Sequence, residues 1–527
     1  MTFLQSNTDL LSEHSGVGNA ELVFALVAPV GTNYHQVSEN LCSQLTEFRY
    51  KGTPIYLSGS IPIWSELLGL KVKLADAPEY ERIETHMKAA NELYRAFNTR
   101  APENERNSLL AIDAVRQIYD SRPTEQNKRK QALLNTAHIL LTLKRPEEVA
   151  YLRRIYGVGL QVISVFATEE ERKRYLIREK RVSKKDAEKL IEDDEDDHES
   201  GGQRTRDAFE MADLFIDVGP SDDWKRQLGR FLDILFSHPY KTPTKDEQAM
   251  FMAYSASLRS AQFGRQVGAA IMNDDGDLLA IGCNEVPKAL GGQYWSGEDI
   301  DERDHKLGCD SNDREKNAML DEIVGCLPDE SLRRTMREAL RKTSLFSITE
   351  YGRAVHAEME ALSSCARRGI STSLQTLYTT TFPCHNCARH IVGSGIKKVV
   401  YIEPYPKSKA ALLHYDSIAV SEEARSTMGQ KKVPFVPFVG ISPRKYADLF
   451  TTKPMYGKVV DRKLQSTGSA ISWQRNMTDL RLQMNPFTYI EREQLAIEQL
   501  GSIYRQQELP FEGTAQENNH ASDESAK

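Results

Sequence analysis

Four side chains in this sequence have the types and spacing for hydrolytic chemistry. His356 and Glu358 flank Ala357, and Cys384 and Cys387 stand three apart behind Pro383. Residues three apart on a helix share one face. With Pro383 at its start, the spacing predicts a helix whose first turn carries both sulfurs. A helix N-terminus favours negative charge, so thiolates are stabilised there. Two thiolates and a neutral imidazole make a three-ligand zinc site, with Zn2+ held by His356, Cys384 and Cys387. The fourth position is left for water, which marks a catalytic site rather than a structural one. Glu358 is placed to face that water without binding the metal, and a carboxylate there accepts a proton and returns it to a substrate. A structural half-site or a redox pair would explain the two cysteines but not the His-Ala-Glu run. His385 and His390 read as surface or packing residues. Cys283, His305 and Cys309 read as scattered residues more readily than as a second zinc site.

These residues need elements to bring them together. A helix over 357–368, a strand over 376–380, a helix over 384–393 and a strand over 398–403 predict a βαβ unit with a parallel pair. Upstream, Gln248–Gln262 has a helical pattern. Val267–Met272 and Leu278–Cys283 alternate around Asp274-Asp275-Gly276, a hairpin signal. The polar insertion 286–351 is longer than an ordinary loop, so it carries its own helices or forms a lid.

The first part of the chain reads as a separate α/β unit. The apolar run Leu22–Val27 predicts a strand buried on both faces. It is followed by the turn Ala28-Pro29-Val30-Gly31-Thr32-Asn33 and a helix from Tyr34 to Phe48. Backbone amides at Gly31, Thr32 and Asn33 suit a phosphate at that helix N-terminus, which makes these three the nucleotide-binding candidates. Strands near 54–57, 138–143, 160–167 and 215–218 alternate with helical stretches. The run 169–190 reads as one charged, solvated helix, and the acidic run 192–199 as a mobile loop. The domain reading is 1–20 flexible, 21–220 the first domain, 221–243 a linker, 244–450 the second domain, 451–508 a C-terminal extension and 509–527 a disordered tail.

Composition bounds the function classes. A chain of 527 residues exceeds one ordinary core. With 75 acidic and 68 basic side chains the net charge is −7, which lacks the basic footprint of a duplex nucleic-acid binder. No apolar run approaches the roughly 20 residues of a membrane span, so no membrane partner is expected. Seven cysteines are few and odd in number, which points to a reducing, cytoplasmic setting.

The His-Ala-Glu and Pro-Cys-x-x-Cys pair is the signature of zinc nucleobase deaminases. Leu258-Arg259-Ser260, Gln266-Val267-Gly268-Ala269 and Gly282-Cys283-Asn284-Glu285-Val286-Pro287 extend the likeness. Together these make about 244–440, less the insertion, resemble the deoxycytidylate deaminases. The resemblance implies a cytidine-deaminase-like α/β/α sandwich with Glu358 catalytic. It also implies a free deoxycytidine nucleotide as substrate, with Asn284 and Ala357 as substrate-binding positions. The segments Tyr401–Ser408 and Leu413–Ser417 are similar to two-domain bacterial antiphage deaminases, which join a P-loop-kinase-like domain to a deoxycytidylate-deaminase domain. That resemblance implies conversion of dCTP and dCMP to dUTP and dUMP, depleting the dCTP an infecting phage needs. Lys407 for phosphate and Tyr405 near the pocket are further substrate-binding candidates, read equally well as strand-end surface residues.

The first domain resembles P-loop kinases in its strand, glycine turn and helix. Lys144–Val149 resembles the region after their metal-site strand, and Arg172, Arg174 and Arg178 their basic lid. It departs from them because the turn has no phosphate-reaching lysine and Thr142 stands where an acid is expected. A regulatory domain binding a nucleotide or a partner follows, with a purely structural α/β domain as the alternative. An inhibitor, a small RNA or a protein, and a homo-oligomer complete the expected partners. The competing function is a housekeeping dCMP deaminase supplying thymidylate synthesis. The acidic balance disfavours an editor of nucleic-acid polymers.

Overall fold

The computed structural model describes residues 20–505 apart from 125–129, 196–203, 220, 344–345, 347, 349, 404–407, 427–431, 455–456 and 483. Tyr405, Lys407, the N-terminal segment up to residue 19 and the C-terminal tail lie outside the described residues. β1 (Leu22–Val27) is buried at every position. An all-apolar strand of this kind belongs at the centre of a parallel sheet covered on both faces. It has β3 (Thr136–Leu143) on one side, with β2 (Lys51–Tyr56) beyond, and β4 (Leu160–Phe166) on the other, with β5 (Leu214–Asp217) beyond. All five are parallel. The helices between and after them are α1 (Tyr34–Glu47), α2 (Glu79–Asn98), α3 (Leu109–Ser121), α4 (Pro146–Tyr156), α5 (Glu169–Arg178), α6 (Lys184–Glu195) and α7 (Asp223–Leu235).

Three expectations for this half are corrected. The stretch 221–243 is not a linker, because it carries α7. Trp224, Leu228, Phe231, Leu232 and Leu235 recur at helical spacing and are buried among Leu22, Phe24, Leu41 and Leu45. The charged run 169–190 is two helices rather than one, with Arg181 between them in the left-handed region at φ 56°. The acidic run is not wholly solvated either, since Asp194 at the end of α6 is buried.

The second sheet holds β6 (Gly268–Met272), β7 (Leu278–Cys283), β8 (Thr376–Thr381), β9 (Lys398–Glu403), β10 (Ile418–Ala419) and β11 (Val433–Pro437), in the order β10-β11-β9-β8-β6-β7. The β6–β7 hairpin and the parallel β8–β9 pair are those expected. The helices of this half are α8 (Lys245–Ser257), α9 (Ser311–Gly325), α10 (Glu330–Arg341), α11 (Ala357–Arg367) and α12 (His385–Gly393). Strand alternation sorts the core. Ala269 and Ile271 pack with Ala357, Ala361 and Ile391 on one face, while Ala270 and Met272 pack with Ala249, Met250 and Ala253 on the other. A helix layer thus lies on each side of the sheet. The insertion carries its own helices, α9 and α10 with a short one at Asp304–Leu307.

The two halves interlock more than a boundary at 220 and an extension at 451 imply. β12 (Gly440–Ile441) adds antiparallel to β5 at the edge of the first sheet. The C-terminal helix α13 (Pro486–Arg505) packs on α3. There Arg122 bridges Glu21 and Glu493, all three fully buried, with Nη2 2.9 Å from each carboxylate. Burial pushes the Glu21 carboxyl up, but His138, Arg122 and the Tyr489 hydroxyl outweigh it and hold it down at about 2. The extension is therefore part of the first domain's wall, because a buried arginine needs both carboxylates.

Candidate active site

The N-termini of α11 and α12 converge at the end of β8. His356 is the N-cap of α11, and its carbonyl accepts the Glu360 N–H at 2.9 Å. What seats it is a close approach. A Cβ on Gly282 of β7 would lie 2.2 Å from the Ala357 carbonyl oxygen, so only glycine lets α11 begin there. A two-way backbone bridge between Glu285 and Val355 then fixes the residue before His356. Glu285 is itself buried, its carboxylate accepting the N–H groups of Ala261 and Val286, both at 2.9 Å. Cys384 is the N-cap of α12 rather than a first-turn residue, with Pro383 just outside. Its sulfur accepts the Cys387 N–H at 3.5 Å, the role an N-cap side chain plays. The loop before it is held because Phe382 N–H donates to the Glu403 carbonyl at 2.7 Å and Thr381 Oγ1 to the Glu403 carboxylate at 2.8 Å.

These elements bring three donors together. His356 Nδ1 lies 3.4 Å from both the Cys384 and the Cys387 sulfur. Tetrahedral zinc with Zn–S of about 2.3 Å and Zn–N of about 2.0–2.1 Å requires N and S about 3.5 Å apart. The spacing fits that ion. Among the described residues no other group of three or more histidines, cysteines and carboxylates converges in this way. Cys283 instead accepts from Arg259 Nη2 at 3.1 Å.

Charge is already arranged at the donors. The Cys384 thiol is brought down to about 4, first by the Cys387 thiol that donates to it and also by His356. The His356 imidazole is raised to about 9, chiefly by its hydrogen bond to Cys384. Cys387 is pushed up, first by Cys384 and then by burial. Glu358 is 4% exposed, with Oε2 3.5 Å from the Cys387 sulfur. Its burial raises its carboxyl, while His356 pulls the other way. The glutamate thus sits beside the metal position and outside the donor set.

The remaining candidates divide. Ala357 is fully buried at the start of α11. Asn284 is half-buried, and its amide is engaged within the protein. Oδ1 accepts from Val267 N–H and Nδ2 donates to the Arg265 carbonyl, both at 2.7 Å. It braces the turn 265–267. Gly31, Thr32 and Asn33 belong to the other half, after β1, where Asn33 caps α1 by accepting the Gln36 N–H at 3.3 Å. Glu285 and Glu403 lie in segments that carry the family likeness, but their positioning roles were not readable, because Glu285 acts through Val355 and Glu403 through Thr381 and Phe382. Glu350 at the end of the insertion accepts from Asn386 Nδ2 at 3.3 Å, which brings the insertion to the start of α12.

Residues 243–403 match the family model described as the cytidine and deoxycytidylate deaminase zinc-binding region. The class of domain is therefore that of the His-x-Glu and Cys-x-x-Cys residues just described. Particular relatives narrow it. The deoxycytidylate deaminase of Enterobacteria phage T4 is 49% identical over 55 residues, 10% of this chain and 28% of that protein. The human deoxycytidylate deaminase is 26% identical over 156 residues, 30% of this chain and 63% of that protein. ComE operon protein 2 of Bacillus subtilis is 35% identical over 71 residues, 14% of this chain and 38% of that protein. The chain spans less than a third of the length of the phage relatives it matches. Among solved structures, the dCMP deaminase from the cyanophage S-TIM5 in complex with dCMP and dUMP aligns over 38% of this chain and 100% of that chain. The identity is 21% and the TM-score 0.22.

Proposed function

We propose that residues 244–450 hydrolytically deaminate free deoxycytidine nucleotides, dCMP and dCTP, to dUMP and dUTP with release of ammonia. The observation that carries this is the convergence of His356, Cys384 and Cys387 at zinc-ligand spacing, with Glu358 buried beside them. The three donors would hold zinc, which supplies a Lewis acid that makes water nucleophilic near neutral pH. Glu358 takes one proton from the attacking water and delivers it to the ring nitrogen, then takes the proton of the added hydroxyl and delivers it to the amine, which leaves as ammonia as the carbonyl forms. Its low exposure keeps bulk water from competing for those protons. Asn284 and Ala357 are substrate-binding positions in this reading, with the Asn284 amide also bracing the turn 265–267.

In this reading the first domain is a P-loop-kinase-like regulator that binds a nucleotide at Gly31–Asn33. Its turn sits at the carboxyl end of the central strand, where strand order reverses and open α/β sheets take ligands. The protein works in the cytoplasm as a homo-oligomer, kept silent by a small RNA or protein inhibitor until infection, and then depletes dCTP. The test is ammonia release by the purified full-length protein on dCMP, dCTP, CTP and a cytosine-bearing single strand. Turnover of dCTP and dCMP is expected. Activity on the polymer alone overturns the reading, and activity on dCMP but never dCTP shifts it to supply of dUMP for thymidylate synthesis.

A further inference from the structure

The turn between β1 and α1 already holds an anion, and the anion is the protein's own. The Val30 N–H donates to Asp194 Oδ2 at 2.8 Å, and Lys144 Nζ donates to Asp194 Oδ1 at 3.0 Å. Lys144 also donates to the Ala28 carbonyl at 2.9 Å, which fixes its ammonium at the turn. Arg172 closes the other side, its Nε donating to the Val30 carbonyl at 2.7 Å and its Nη2 3.9 Å from Asp194 Oδ2. Gly31 has φ 84°, and a Cβ there would meet the Arg172 carbonyl oxygen at 2.9 Å, so the turn needs glycine twice over. A backbone N–H and an ammonium converging at a helix start form the arrangement that binds phosphate groups.

A second observation points to a ligand. Thr32 is 2% exposed, and its hydroxyl has no hydrogen-bond partner among the described residues. A buried hydroxyl left unpaired is destabilising, so the arrangement is incomplete as it stands. Thr32 lines a cavity of about 170 Å³ together with Lys144, Arg145, Arg82, His86 and Tyr34. A cleft of about 600 Å³ opens on the other side of Gly31, lined by Asn33, Gln36, Arg174, Arg178 and Lys180.

The carboxylate arrives on the α5–α6 hairpin. Asp194 ends α6, and the hairpin's small apolar cluster of Leu176, Val182, Ala187, Leu190 and Ile191 is joined to the rest of the domain by Tyr80, Ile83 and Met87 of α2 and by the exposed Lys189–Glu84 pair at 2.7 Å. Val30 of the turn packs against that cluster. From α5, Arg174 Nη2 donates to Glu422 at 2.8 Å, so the hairpin also touches the deaminase half.

We propose that this turn binds the phosphate of a phosphorylated nucleoside, and that Asp194 is its built-in competitor. The phosphate takes the Val30 N–H, Lys144 and the Thr32 hydroxyl. The carboxylate leaves, and the α5–α6 hairpin is released together with its Arg174–Glu422 contact. This rests on reading Gly31–Asn33 as a nucleotide site, and it adds Lys144 as the lysine that the turn itself lacks. A site occupied by its own anion for most of the time binds more weakly by the fraction of time it is open.

The experiment is calorimetric titration of inorganic pyrophosphate and of ATP into the full-length protein and its Asp194→Asn and Lys144→Met variants. Asp194→Asn keeps the shape and removes the charge, so it is expected to bind both probes at least about tenfold more tightly than the unmodified protein. Lys144→Met is expected to lose binding of both. Equal affinity of the unmodified and Asp194→Asn proteins overturns the competitor and leaves the nucleotide site standing. Binding by neither overturns both. A measurement on the unmodified protein covers the case in which a variant misfolds. Amide hydrogen exchange across residues 184–195 is expected to quicken on adding pyrophosphate, and unchanged or slowed exchange there counts against the proposal.

Discussion

At the starts of α11 and α12, charge is gathered by residues close together in the chain. His356 and Glu358 lie in one tripeptide, and Cys384 and Cys387 within one helical turn. At the start of α1 the partner charge comes from far away, with Asp194 being 164 residues from the Val30 whose N–H it accepts. The first arrangement holds three donors around a gap of zinc size. The second holds an anion already in place. The contrast teaches that a local motif can declare its chemistry in sequence, while a long-range one reads as surface charge until the chain is folded.

The largest expected effects separate the donors from the glutamate. Cys384→Ala removes one of three ligands and is expected to lose bound zinc and turnover together, measured by metal analysis and ammonia release. Glu358→Gln is expected to keep zinc and lose about 10²–10⁴-fold in turnover, the size of a general acid–base contribution. If Glu358→Gln loses zinc as Cys384→Ala does, the glutamate is a ligand and the division of roles is wrong.

The next effect tests whether the first half depends on distant parts of the chain. Arg122→Ala leaves the buried carboxylates of Glu21 and Glu493 without their shared cation. Breaking such a pair costs about 3–5 kcal/mol. Chemical denaturation is expected to show that loss, and a change under about 1 kcal/mol would mean that α13 is not part of the first domain's wall.

How much was legible follows the same division. The His356, Cys384 and Cys387 cluster with Glu358 beside it, the hairpin and the parallel β8–β9 pair are visible because their signals lie within a few residues. The central strand of the first sheet is visible because Leu22–Val27 is apolar throughout. Helix α7 is hidden, because charged residues separate its buried Trp224, Leu228 and Phe231 in what resembles a linker. Asp194 follows the exposed Glu192 and Asp193 in an acidic run, so composition points the wrong way. Asn284 is recognisable by resemblance, but its engagement with the 265–267 turn depends on a fold that brings β6 and β7 together.

A smaller effect concerns the close approach that seats α11. Gly282→Ala puts a methyl 2.2 Å from the Ala357 carbonyl oxygen, which is backbone and must shift. Overpacking of this kind costs about 1–3 kcal/mol. Because the shift displaces His356, zinc affinity is expected to fall along with the melting temperature. A variant that melts lower but holds zinc equally well would show that β7 does not position the donor.

The smallest expected effect lies where the halves meet. Glu210, from the segment before β5, is hydrogen-bonded to Glu403 at the end of β9, beside a cavity that both line with Arg265 and Arg444. Burial, then the charge of Glu403, push the Glu210 carboxyl up to about 8, although Arg265 pulls it down and Asp207 adds to the rise. Between pH 4.5, its ordinary value, and about 8, the folded protein keeps a proton that the unfolded chain releases. Stability therefore falls as pH rises through that window and levels off above it. Glu210→Gln is neutral throughout and is expected to flatten that slope in melts taken from pH 5 to pH 9. Arg265 lies 3.3 Å from Glu403, and Glu403 holds Thr381 and Phe382 just before the cysteine helix. If the slope is unchanged in the variant, Glu210 does not hold its proton against Glu403, and the two halves are not coupled through this carboxyl pair.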